Sequence, residues 1–97
     1  MTNNTNRAIF DRYYDINLVD RHGAPEAGIR VIQEEEMIIV WDNNNAFEGH
    51  ISEYPAALAN LRSLYADYLA EATDDAEAAV IAENLDTINQ ALNELAE

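Results

Sequence analysis

The sequence predicts an α+β fold, with an antiparallel sheet of about three strands packed against a C-terminal antiparallel helical hairpin. Three observations predict it. Apolar residues alternate from Asp11 onward, with Val19 the one exception, two short β-branched runs follow before residue 42, and from residue 52 onward the apolar spacing changes to threes and fours. At 97 residues the chain can build one core, burying about two-thirds of the surface it exposes when unfolded. Residues 8–97 are therefore expected to form a single domain, and the Asn/Thr-rich residues 1–7 a disordered N-terminal segment.

The first strand places Tyr14, Ile16 and Leu18 on one side and Tyr13, Asp15 and Asn17 on the other, the pattern of a half-buried strand. Arg21 to Gly28 contains His22-Gly23 and Ala24-Pro25, residues that interrupt regular structure, and reads as a loop. Ile29 to Gln33 and Met37 to Trp41 flank Glu34, Glu35 and Glu36, which suits a hairpin with a charged, solvated tip. Asp42-Asn43-Asn44-Asn45 is expected to end the sheet.

The first helix is expected to start at Ser52, whose hydroxyl caps free amides. Glu53 complements the dipole, and Pro55 is tolerated in the first turn. Leu58, Leu61, Tyr65, Tyr68, Leu69 and Ala72 form its apolar stripe. After a break at Thr73 to Asp75, Asp74 and Glu77 resemble a capping box opening a second helix, with apolar positions Ile81, Leu85, Ile88, Leu92 and Leu95. The two stripes are placed to cover each other and one face of the sheet.

Charge is the strongest compositional signal. There are 19 Asp plus Glu against five Arg and no Lys, a formal net charge of -14. That repels phosphate backbones and anionic membranes, so direct nucleic-acid binding and membrane association are not expected. It also exceeds the magnitude of roughly 2 to 8 that keeps a small domain soluble. The charge is uneven, since residues 63–97 carry nine acids and no base. The chain has no cysteine, no signal-peptide pattern and no apolar run approaching the ~18 residues of a membrane span, and a cytoplasmic location is expected.

Catalytic and metal chemistry find little support. His22 and His50 each neighbour a glycine, without a nucleophile motif, a phosphate-binding loop or paired histidines at helical spacing, so no enzyme activity and no catalytic residue is assigned. Asp42 to Glu53 has Asp, Asn and Glu at the first, third and twelfth positions of a calcium loop. It places Ala46, Phe47 and Gly49 where an oxygen ligand, a glycine and an apolar residue belong. The Glu34–Glu36 run is explained as a charged hairpin tip, and no metal or cofactor is expected. A stacking platform built on Tyr13, Tyr14, Tyr65, Tyr68 and Trp41 would need a positive groove, which is missing. Tyr13 and Tyr54 are expected at the surface, where they could anchor a partner.

The second helix carries the clearest functional pattern. With its apolar stripe inward, Glu83, Asp86, Glu94 and Glu97 fall on its outer face, Asp74, Asp75 and Glu77 surround its start, and Asp67 and Glu71 add charge from the first helix. A solvated helix ordinarily mixes Lys with Glu at i,i+4 spacing, and this one has no Lys. Successive outer carboxylates lie about 5 to 12 Å apart along the axis, a scale suited to replacing phosphates in a basic groove.

In length, absence of Cys, acidity and α+β organisation the chain resembles the small acidic anti-CRISPR and antirestriction proteins of phages and mobile elements. The resemblance implies a non-enzymatic DNA mimic that evades host defence in the cytoplasm of a host bacterium. It would occupy the basic DNA-binding surface of a CRISPR surveillance complex or restriction enzyme as a monomer or small homo-oligomer. Asp67, Glu71, Asp74, Asp75, Glu77, Glu83, Asp86, Glu94 and Glu97 are the partner-binding carboxylates under this reading. The same electrostatics suit an immunity protein or antitoxin neutralising a basic nuclease. A small phage structural or scaffold protein, self-associating through Trp41 and exposed tyrosines, is the third class.

Overall fold

The computed structural model describes residues 10–96; the expected disorder of residues 1–7 and the role of Glu97 lie outside them. The fold is α+β, with a four-stranded antiparallel meander followed by two helices. The strands are β1 (Ile16–Val19), β2 (Pro25–Ile32), β3 (Met37–Asp42) and β4 (Ala46–His50), in spatial order β1-β2-β3-β4. The helices are α1 (Tyr54–Glu71) and α2 (Asp75–Ala96), packed against each other.

The fourth strand corrects the expected three. Asp42 does not end the sheet but turns it. Its carboxylate accepts from the amides of Asn44 at 2.7 Å and Asn45 at 2.8 Å, while its own amide donates to the Asn45 carbonyl at 2.8 Å. The chain reverses in four residues, and Ala46–His50 pairs with β3. The loop expected over residues 21–28 is also shorter, because the Asp20 carboxylate accepts from the amides of His22 and Ala24 at 2.8 and 3.0 Å. Gly23 supplies the left-handed turn residue at φ 80. Strand β2 then starts at Pro25, a first-of-strand position that proline tolerates. The Glu34–Glu36 segment is the expected β2–β3 tip, a single 3-10 turn closed by Glu36 at φ 50.

The helices cover one face of the sheet. Ile16, Leu18, Ala27, Ile29 and Ile38 point into the core, where they meet Leu58, Leu61 and Tyr65 of α1 and Ile81, Ile88 and Ala91 of α2. Leu18, Ile29, Leu58 and Ile88 are fully enclosed, and each such side chain contributes about 1.5–3 kcal/mol of burial free energy. The opposite face carries Arg30, Ile32, Met37, Ile39 and Trp41, with no second layer among the described residues. Trp41 lies over Gly28, where a Cβ would sit 2.9 Å from Trp41 Cζ2 and collide with the Ile16 carbonyl.

The aromatic assignments at the N-terminal side are corrected. Tyr13 is buried rather than exposed and stacks on Tyr54 with ring centroids 4.4 Å apart. Tyr54 is fully enclosed, donating from its hydroxyl to the Tyr14 carbonyl at 2.7 Å. Neither is available as a partner anchor. Tyr14, expected in the core, is 39% exposed, because β1 begins only at Ile16 and the preceding chain need not alternate with it. The entry to α1 also differs. A 3-10 turn, Ile51–Glu53, precedes it, and its cap is His50, whose Nδ1 accepts from the Ser52 amide at 3.1 Å while Glu53 accepts from the His50 amide at 2.9 Å.

Candidate acidic binding surface

The expected carboxylates divide by what holds them. Asp74 caps α2, accepting from the Ala76 amide at 3.1 Å, and pairs with Arg21 at 3.3 Å. Glu94 is half-buried and accepts from the Tyr14 hydroxyl at 3.2 Å. Burial first and this carboxylate second raise the Tyr14 pKa. Both acids thus also hold the fold. The carboxylates of Asp67, Glu71, Asp75, Glu77, Glu83 and Asp86 are exposed, with no side-chain hydrogen bond or ion pair to another described residue.

These six are not one track along α2. Its outward stripe runs through Asp75, Ala79, Glu83, Asp86, Gln90 and Asn93, so carboxylates are interrupted by neutral residues. Asp75 and Glu83 are about 12 Å apart along the axis and Glu83 and Asp86 about 4.5 Å. Duplex DNA carries one charge per ~1.7 Å, so the helix face alone is far more dilute. The acid density is greatest where α1 ends and α2 starts, because the sheet adds carboxylates there.

At that end the fold forms a cleft of about 600 Å³ between the β1–β2 turn, the β3–β4 turn and the helical hairpin. Asp20, Glu26, Asp42, Glu71 and Glu77 line it, and Tyr65, Tyr68 and Leu64 form apolar wall. Tyr65 donates to Glu26 at 2.6 Å, and its pKa is pushed up by burial and then by that carboxylate. Tyr68 meets the Tyr65 ring edge-on at 5.2 Å and leaves much of its own ring exposed. Backbone amides of Ala24 and His22 hold the Asp20 pKa below its usual value. Arg21 is the one cation in the lining, and Asp74 accompanies it.

An aromatic wall beneath several carboxylates suits a guanidinium or ammonium group, which gains both charge pairing and ring-face attraction. No three of the described His, Asp and Glu residues come together as a metal-holding group. Glu71 and Glu77 were legible as candidates from their positions around the helix break. Asp20, Glu26 and Asp42 were not, because only the pairing of β1, β2 and β3 brings the β1–β2 turn, the start of β2 and the end of β3 together. The sole sequence signal was their position beside turn residues.

The two histidines sit apart. His50 is occupied as a cap: its Nδ1 accepts from the Ser52 amide, and the Ser52 hydroxyl lies 2.8 Å away, which leaves Nε2 to carry the proton 3.6 Å from Glu36. His22 lies exposed in the β1–β2 turn. No described helix is long and apolar enough to cross a membrane. Comparisons with protein-family models, with curated proteins and with solved structures find no match to this chain.

Proposed function

We propose that this chain is a non-enzymatic inhibitor that occupies the basic, nucleic-acid-recognising surface of another protein, acting as an acidic DNA mimic without a cofactor. The observation that carries the reading is the unneutralised acid at the helix-turn end of the fold. Glu71, Asp75 and Glu77 make no ion pair with another described residue there, and Asp20, Glu26 and Asp42, each also accepting a hydrogen bond within the fold, converge on the same end. Such a concentration opposes folding through self-repulsion, and a basic partner reverses the sign of that energy on binding. Lys and Arg side chains that grip phosphates would grip these carboxylates with the same charge-assisted hydrogen bonds.

The target class follows from the resemblance to phage anti-defence proteins: a CRISPR surveillance complex or a restriction enzyme in the cytoplasm of a host bacterium. The cleft favours a second reading, an immunity protein for a basic nuclease. A concave acidic site with an aromatic wall suits one projecting Arg or Lys of a compact partner better than it suits a long groove.

The experiment is capture of partners from host lysate at low salt, followed by elution with duplex DNA. A defence complex released by DNA supports the mimic. A small basic nuclease whose release requires salt but not DNA supports the immunity reading, and retention of no basic protein refutes both.

A further inference from the structure

The two edges of the sheet are treated differently, and the difference points to self-association. Ladder alternation directs the backbone groups of Val19 away from β2, and the buried Asn84 side chain of α2 closes them. Its Nδ2 donates to the Val19 carbonyl at 2.8 Å and its Oδ1 accepts from the Val19 amide at 3.3 Å. A side-chain amide thus stands in for a neighbouring strand at the β1 edge.

Among the described residues the β4 edge has no such closure. The Asp42 amide bonds Asn45 and the Ile51 amide bonds Glu36, so residues 45, 47, 49 and 51 turn toward β3. Ala46, Glu48 and His50 turn outward. The His50 amide is taken by Glu53 at 2.9 Å, which leaves Ala46 and Glu48 as the residues with both an N–H and a C=O free. Between them Phe47 is 64% exposed, the most exposed large apolar side chain of the described fold. Native proteins usually guard a bare edge with charge, proline or a covering element.

We propose that β4 pairs antiparallel with β4 of a second copy of this chain, with the two-fold axis at Phe47. This is the register set by the free groups. Ala46 of each copy exchanges two hydrogen bonds with Glu48 of the other, and Phe47 faces its own mate in the close, non-hydrogen-bonded position, where aromatic pairs gain most. A shift of the axis to Glu48 would oppose two carboxylates directly, and a shift to Gly49 would need the His50 amide that Glu53 already holds.

Charge distribution selects a second copy at this edge rather than at β1. The acidic helix α2 packs on the β1 side, so an eight-stranded dimer would hold the two β1 strands seven spacings, about 34 Å, apart. That is several times the Debye length of about 8 Å at physiological salt. Residual repulsion between the copies makes the dimer tighten as salt rises, the opposite of binding to a basic partner.

Sedimentation equilibrium of the full chain across protein and salt concentration tests the proposal, with Phe47→Glu as the disrupting variant. The expected result is a monomer–dimer equilibrium strengthened by salt, and a loss of about tenfold or more in Phe47→Glu from the opposed charges and the missing ring pair. Because the chain has no cysteine, single substitutions report the register. Under mild oxidation Phe47→Cys should cross-link to itself well ahead of Ala46→Cys, which faces Glu48. A monomer at all concentrations overturns the proposal, as does a dimer in which Ala46→Cys links first. Neither outcome affects binding to a DNA-displaceable partner, so the two readings fail separately.

Discussion

Asn84 offers the sharpest test of how the fold is held, because a polar side chain that is only 5% exposed is either filling space or closing a strand edge. The geometry assigns the second role. Asn84→Ala removes two hydrogen bonds at about 1 kcal/mol each and leaves the part-buried Val19 amide and carbonyl without their partner, for a total of roughly 2–3 kcal/mol. In a domain of this size 1 kcal/mol moves the thermal midpoint by about 4–8 °C. The midpoint of Asn84→Ala should therefore fall by about 8–24 °C, measured by circular dichroism or calorimetry. Asn84→Leu is the discriminating variant, since it restores apolar volume without restoring either bond. It should remain clearly below the parent chain. A leucine variant as stable as the parent or more so would refute the edge-closing argument and reduce Asn84 to a packing residue.

Two further outcomes follow. Tyr54 is pushed up to about 12, chiefly by burial, and Tyr65 is raised as well, by burial and by Glu26. The folded state therefore favours the protonated phenols. Their contribution is fully present below pH ~10 and is lost as pH climbs through the folded pKa values. Tyrosinate absorbance should show the group of five tyrosines splitting, with Tyr54 and Tyr65 ionising late and together with unfolding; a single normal step for all five would contradict their buried bonding. Asp74 and Glu83, assigned the same role by sequence, should separate on mutation. Asp74→Ala should cost about 1 kcal/mol through loss of the α2 cap, whereas Glu83→Ala should change chemical-denaturation stability by less than ~0.5 kcal/mol.

The sequence was most legible where period and burial coincide. The change from alternation to threes and fours located both helices, because their stripes of Leu, Ile and Tyr had one partner surface to meet. The hairpin tip at Glu34–Glu36 was legible for a similar reason, as three charges cannot enter a core of this size. Strand β4 was not legible. Ala46-Phe47-Glu48-Gly49-His50 has one strong β-former, and its pairing is imposed by the Asp42 turn and the free edge of β3. The roles of Tyr13 and Tyr14 depended on where β1 begins, at Ile16 rather than near Asp11, which periodicity does not resolve.

The acidic surface was legible as charge but not as shape. Counting acids beyond residue 63 identified the C-terminal third, yet Asp74 and Glu94 also hold the fold, while Asp20, Glu26 and Asp42 join the surface from the β1–β2 turn, the start of β2 and the end of β3. Net charge is additive along a chain, whereas a cleft requires that the strand order be known.

The most direct test of the central claim is the dissociation constant of the captured basic partner, measured against salt for the parent chain and for a Glu71→Lys, Glu77→Lys double variant. Both side chains are exposed, line the cleft and make no side-chain hydrogen bond or ion pair to another described residue, so the fold should survive the change. The account predicts binding that weakens steeply as salt rises and that falls about tenfold or more in the variant. An affinity that is independent of salt and unchanged by the double reversal would contradict it, and would leave the charge of -14 without a part in recognition.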